Sequence, residues 1–279
     1  MLAKTWSSAI HGVDAYTVEV EVNATGVGNE TIINVVGMPD TAVRESKERV
    51  WSAMACNGFF PPHGRTTINL APADVRKEGT GFDLPIALGT IAATNAFDRE
   101  SLRQTMIVGE LALDGSVRPV HGVLPVAMHA AANGIRNLLV PEDNAPEAGV
   151  ARGLNIYGIG NLVEAVDFFR GETDLESVQI DIDELYTDIG QEELDFAEVK
   201  GQETAKRGME IAAAGGHNML MIGPPGTGKT MLARRLPSIL PPLTLEEALA
   251  VTRIHSIAGV LPPDTPLVLN RPFRSPHHT

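Results

Sequence analysis

Eight consecutive residues, Gly223-Pro224-Pro225-Gly226-Thr227-Gly228-Lys229-Thr230, have the types and spacing of a loop that binds phosphate. Gly223, Gly226 and Gly228 let backbone amides converge on phosphate oxygens, and the start of a following helix adds a favourable dipole. Lys229 is placed to reach the β and γ phosphates as a point charge, and the Thr230 hydroxyl to ligate Mg²⁺. The chemistry indicated is the binding of ATP with Mg²⁺. A chance glycine turn would not be expected to match every fixed position in a strand, loop, helix context.

The flanking residues predict that context. Asn218 to Ile222 is a short apolar run expected to form a strand, and Met231 to Leu236 continues as a helix. Pro224, Pro225 and Thr227 fill the loop in the manner of the AAA+ ATPases. Upstream, Val199-Lys200-Gly201-Gln202 resembles the segment near the adenine in that superfamily, which makes Gly201 and Gln202 candidate nucleotide contacts. Gly201 reads alternatively as the turn that starts a helix over Glu203 to Ala214. Turnover in this class needs an acidic strand end, a sensor residue and an arginine from a neighbouring subunit. After Thr230 the acidic residues are Glu246, Glu247 and Asp264, and none ends an apolar strand. The chain therefore reads as a truncated ATPase, with no catalytic residue of its own and no turnover expected from it.

The residues before the acidic stretch predict an α+β domain over 1–170 rather than a doubly wound sheet. Strands are expected over Tyr16 to Val22, Thr31 to Val36 and Thr66 to Leu70, with a further buried strand over Asn137 to Val140. Helices are expected from the Asp40 cap to Asn57-Gly58, over Phe82 to Thr94 with Pro85 in the first turn, over Val123 to Asn133, and over Leu162 to Phe169. Asp114-Gly115 lies between Met106–Leu113 and Val117–Val120 as a hairpin turn. The acidic segment 171–195 follows, and the start of an α/β phosphate-loop domain occupies 196–279.

Composition narrows the class. The chain has 279 residues and a formal net charge of −13, with eleven Asp or Glu and no Lys or Arg between Glu172 and Glu198. The acidity belongs to the connecting segment, so overall charge neither supports nor excludes DNA. Cys56, the single cysteine, permits no intrachain disulfide and is expected in the core of its helix. No run of eighteen apolar residues occurs, and a cytoplasmic protein without a membrane span is expected.

Longer stretches carry a family resemblance. Gly215 to Thr230, the run Leu-Pro-Ser-Ile-Leu-Pro-Pro-Leu at 236–243, and Arg-Pro-Phe-Arg-Ser-Pro-His-His-Thr at 271–279 resemble the magnesium-chelatase I-subunit group. The whole chain resembles the ComM/YifB family of bacterial proteins. The resemblance implies an N-terminal domain similar to the Lon protease and ribosomal S5 domain 2 fold. Lys77-Glu78-Gly79-Thr80-Gly81 stands where Lon-type proteases carry Lys-Asp-Gly-Pro-Ser, and Gly81 replaces the nucleophile. Gly115 to Pro141 matches the Lon segment with the catalytic lysine, and Leu124 replaces that lysine. Neither can supply a hydroxyl or an amine, so the domain is expected to be proteolytically inert.

The same resemblance implies that full-length members are AAA+ ATPases acting as DNA branch-migration helicases in recombination and natural transformation. They would assemble as homo-hexamers on branched or single-stranded DNA. A chelatase-type or chaperone-type ATPase that remodels a protein partner without DNA is the alternative. Arg271, Arg274, His277 and His278 read either as a basic cluster facing DNA or as a solvated loop; a metal at the histidine pair is disfavoured, because adjacent strand residues point to opposite faces. His63, Arg65, Arg76 and Lys77 read equally as phosphate contacts or as scattered surface charge.

Overall fold

The computed structural model describes residues 1–26, 31–187 and 194–275. The chain divides into two compact units, Met1–Ile180 with Thr252–Pro266, and Asp181–Val251 with Leu267–Thr279. No helix among the described residues is long and apolar enough to cross a membrane.

The first unit is built on β1 (Leu2–His11), β2 (Asp14–Ala24), β3 (Thr31–Val36), β4 (Gly64–Ala71), β5 (Thr105–Ile107), β8 (Asn137–Pro141) and β9 (Asn155–Ile159), with a small ribbon of β6 (Glu110–Leu111) and β7 (Val117–Arg118). The seven-stranded sheet has the order β3-β4-β2-β1-β5-β8-β9. β1 and β4 run antiparallel to β2, whereas the β3/β4, β1/β5, β5/β8 and β8/β9 pairs are parallel. The fold is thus mixed α/β with a parallel-rich sheet.

β1 shows why its sequence gives no strand signal. Its inward positions are Ala3, Thr5, Ser7 and Ala9, so the buried face is small and hydroxylated instead of alternating with large apolar residues. The small residues admit close packing. The helix α2 (Asp83–Ala93) has Gly89 so near the sheet that a Cβ there would meet Val22 Cγ2 at 2.9 Å and Thr5 Cγ2 at 3.2 Å. Every residue of α2 is buried, as expected of a helix apolar all round.

The helix α1 (Thr41–Cys56) starts where expected: the Asp40 carboxylate accepts from the Val43 amide at 2.8 Å. Its buried stripe runs through Val43, Ser46, Val50, Ala53 and Met54. Cys56 is exposed, contrary to expectation, because it sits about 200° round the helix from Met54. The expected long strand over 106–113 is also broken. β5 leaves the sheet after Ile107, and at Gly109 a Cβ would press on Leu84 and Val117 at 3.1 and 3.2 Å. Only the short β6 and β7 flank Asp114-Gly115, where Gly115 takes φ +92°.

The remaining helices of the first unit are α3 (Val123–Ala132), α4 (Ala145–Ala148) and α5 (Leu162–Arg170), whose Asn161 cap accepts from the Glu164 amide at 2.9 Å. The acidic segment is divided between the units; Val178 donates to the Ile156 carbonyl at 2.8 Å beside β9.

The second unit contains α6 (Ile182–Thr187), α7 (Glu203–Gly215), α8 (Lys229–Arg234) and the first part of α9 (Leu245–Ile257). A small cluster of Phe196, Val199, Met209 and Leu232 forms its buried centre. The expected strand over Asn218–Ile222 is absent. Ladder bonds need a neighbour, and no other strand occurs among the described residues of this unit. Leu220 and Ile222 are accordingly 82% and 89% exposed.

Candidate functional site

The glycine-rich loop runs from Gly223 to Gly228 and feeds directly into α8. Gly226 and Gly228 take φ +81° and +82°, a left-handed conformation strained for any residue with a side chain. Gly228 caps the helix and accepts from the Leu232 amide at 2.9 Å. The helix runs from Lys229 to Arg234, short of the expected end at Leu236, and a tighter helical turn over Leu236–Ile239, with Pro237 in its first positions, takes over from it.

Within the loop, Lys229 Nζ donates to the carbonyls of Gly223 and Pro224, both at 2.8 Å. Thr227 Oγ1 donates to the Pro224 carbonyl at 2.9 Å. Among the described residues, no backbone or side-chain acceptor takes the amides of Gly226, Thr227 or Gly228. An exposed loop with three such donors, an ammonium on a flexible stem and the exposed Thr230 hydroxyl one residue further on fits an anionic phosphate chain with a divalent cation.

Gly201 (φ +68°) and Gln202 (φ +60°) form the left-handed start of α7. The Gln202 side-chain amide points to the Thr227 carbonyl at 3.5 Å, the outer limit of a hydrogen bond. The structure therefore brings Gln202, with Gly201 next to it in the chain, beside the glycine-rich loop. Arg235 anchors the far end of α8, donating to Glu198 at 2.7 Å and to the Asp195 carbonyl at 3.1 Å.

The basic candidates fare differently. Arg271 donates to Glu247 at 3.0 Å and to the Pro241 carbonyl at 2.8 Å, so the cluster that lacks acids in sequence acquires one in space. Arg274 is exposed, and His277 and His278 lie outside the described residues. Lys77 is fully buried, donating to the carbonyls of Pro72 and Val75, and burial pulls its ammonium below the ordinary lysine range. It cannot touch a phosphate backbone. Arg76 pairs with Glu78 at 3.4 Å.

Two buried polar groups in the first unit have no counterpart in the sequence reading. Asp83 receives Arg49 on both oxygens, at 2.6 and 3.0 Å, together with Ser46 Oγ and the Leu111 amide at 3.2 Å. The carboxylate holds Arg49 firmly protonated. Glu147 accepts from the Leu124 amide at 2.7 Å and from Ser256 Oγ, beside Asn144, whose side chain brackets the Val120 amide and carbonyl at 2.9 and 3.0 Å. Burial pushes the Glu147 carboxyl above the usual carboxylate range, opposed by the bonds from Ser256, Leu124 and Asn144. Residues so far apart in sequence leave no local signal. Gly81 and Leu124 contribute no ionisable group: Gly81 borders a cleft of about 330 Å³ and Leu124 is fully buried.

Comparison with known proteins matches two stretches of the chain to family models. Residues 18–144 match the family described as subunit ChlI of Mg-chelatase, and residues 195–279 match magnesium chelatase, subunit ChlI. Competence protein ComM of Haemophilus influenzae is 41% identical over 283 residues, covering 100% of this chain and 54% of the relative. An uncharacterized protein YifB of Salmonella typhimurium is 42% identical over 283 residues, covering 100% of this chain and 53% of the relative. Lon protease 2 of Bacillus subtilis is 22% identical over 151 residues, covering 49% of this chain and 27% of the relative. The chain spans about half the length of the curated relatives it matches.

Proposed function

The chain belongs to the ComM/YifB family of magnesium-chelatase-like proteins, and on that premise we propose that it carries the nucleotide-binding part of an AAA+ ATPase that drives DNA branch migration. The observation that carries the nucleotide reading is the loop itself. Left-handed Gly226 and Gly228 present unpaired amides, and Lys229 bonds only to carbonyls and a hydroxyl of the same loop, contacts that phosphate oxygens can replace. Gly223 to Gly228 cradle the phosphates, Lys229 neutralises them and Thr230 holds Mg²⁺. Gly201 and Gln202, at the start of α7, lie toward the base. ATP supplies the phosphoanhydride whose hydrolysis releases the free energy.

In this reading the first unit is a Lon-type, ribosomal S5 domain 2-like domain that has lost protease chemistry. Gly81, at the border of the cleft, and the buried Leu124 stand at the nucleophile and lysine positions, and neither supplies the hydroxyl or amine that a serine–lysine mechanism needs. DNA as substrate, a homo-hexamer and a role in competence and recombination follow from the family and from a relative named a competence protein. A cytoplasmic location accords with that role.

The test measures ATP turnover by a full-length family protein with and without a four-way DNA junction. Strong stimulation by the junction is expected. Turnover indifferent to DNA would sink the branch-migration reading and favour a chelatase-type or chaperone-type ATPase acting on a protein.

A further inference from the structure

The cleft beside Gly81 is bordered on one side by Ile257, a residue far along the chain. Ile257 lines it together with the Gly79–Gly81 loop, Val123 and Val126. Contacts from Ser256, Arg253 and Gly259 hold this segment to the rest of the first unit. The Ser256 carbonyl accepts from the Gly122 amide at 3.2 Å, and Ser256 Oγ donates to the buried Glu147 carboxylate. Arg253 Nη2 donates to the Val13 carbonyl at 2.6 Å and pairs with Asp14 at 2.5 Å. Gly259, at φ +66°, lies flat on the His121 ring, so close that a Cβ would come within 2.6 Å of its Cε1.

These contacts share a design. Gly122 is the left-handed cap of α3, and the same residue that begins α3 binds the end of α9. Glu147 holds the Leu124 amide with the oxygen that also receives Ser256, so the first turn of α3, whose Val123 and Val126 line the cleft, is tied to the segment through one carboxylate. α9 ends within this segment; the Gly259 and Val260 amides return to Ser256 and His255 at 3.1 and 3.0 Å, a glycine-closed helix end. Pro262 and Pro263 then stiffen the exit.

We infer that Thr252–Pro266 is a latch: docked through Ser256, Arg253 and Gly259, it closes the cleft of the first unit with the chain's own residues, and its release opens the floor at Gly79–Gly81 and Val120–Val126. The latch rests on contacts within the first unit and does not depend on nucleotide or DNA binding.

Hydrogen exchange on the 279-residue chain tests it with two variants. Gly259→Val forces a branched side chain against His121 at a left-handed position, and Ser256→Ala removes the hydroxyl from Glu147 while leaving the backbone unstrained. Exchange at 252–266 is expected to rise about tenfold or more, and exchange at 79–82 and 120–126 to rise with it, while β2 and β4 keep their protection. A rise confined to 252–266 would overturn the latch, because that segment would then cover nothing. Unchanged exchange in both variants would overturn it as well. If Gly259→Val unfolds the unit, Ser256→Ala alone decides between these outcomes.

Discussion

The two glycine loops of this chain make an instructive pair. Lys77-Glu78-Gly79-Thr80-Gly81 precedes α2, and Gly223 to Lys229 precedes α8. Each combines a lysine, left-handed glycine and a helix start, and each lysine donates to nearby backbone carbonyls, Lys77 to residues just before its loop and Lys229 to its own loop. Their surroundings differ. Lys77 is sealed under the first unit's core, and the helix it precedes begins with an Asp83 carboxylate already bound by Arg49 and Ser46. Lys229 and its loop face solvent around a small cluster. A glycine–lysine loop becomes a ligand site only where its cation and amides can exchange internal partners for external ones.

Breaking the sealed end should have the largest effect. Arg49→Ala leaves the Asp83 carboxylate buried without its cation, and a loss of about 3–5 kcal/mol is expected in denaturant unfolding of the first unit. A loss below 1 kcal/mol would show that the carboxylate escapes to solvent or takes a proton at little cost. Next in size is Lys229→Ala, expected to weaken binding of an ATP analogue by roughly 100-fold or more in calorimetry, with no change in melting of the first unit. Lys77→Met should give the reverse pattern, leaving nucleotide affinity unchanged while the abandoned carbonyls cost about 1–3 kcal/mol of stability. If both lysine variants weaken nucleotide binding alike, the contrast between the loops fails.

Two smaller effects sharpen it further. Asp40→Ala removes the cap of α1 and should cost about 1 kcal/mol, seen as a lower denaturation midpoint with an unchanged slope. Glu147 supplies a pH signature. Its folded carboxyl titrates above the ordinary value of 4.5, so its stabilisation is complete below that value and fades as pH rises through the raised one. Relative to Glu147→Gln, the natural chain should therefore lose stability as pH increases from about 4.5. The opposite slope would mean that Ser256, Leu124 and Asn144 hold the charged form more strongly than burial opposes it.

Much of the fold was legible where local chemistry was strong. Asp40 and the Asn57-Gly58 stop bracket α1, and the polar alternation of Thr66 to Leu70 lies within β4. α9 carries a local signal as well. Thr244 and Glu247 form a reciprocal capping box, with the Thr244 amide donating to Glu247 at 2.9 Å and the Glu247 amide to Thr244 Oγ1 at 3.3 Å. β1 was not legible, since Thr5 and Ser7 occupy its inward face. Nor was the fate of Asn218–Ile222, whose apolar run is strand-like in composition yet has no ladder partner among the described residues.

The sequence by itself determined the glycine-rich loop proposed to hold phosphate, because glycine conformational freedom, a lysine cation and a threonine hydroxyl are properties of residue type and spacing. It also determined the helix boundaries set by caps, glycine and proline, which act within one turn. Tertiary structure alone decided which lysine is sealed and which stays open to solvent, that Arg271 acquires Glu247 as a partner, and that Ser256 meets Glu147 across 109 residues. Burial and long-range pairing depend on what the rest of the chain packs against a residue, and no local spacing encodes that.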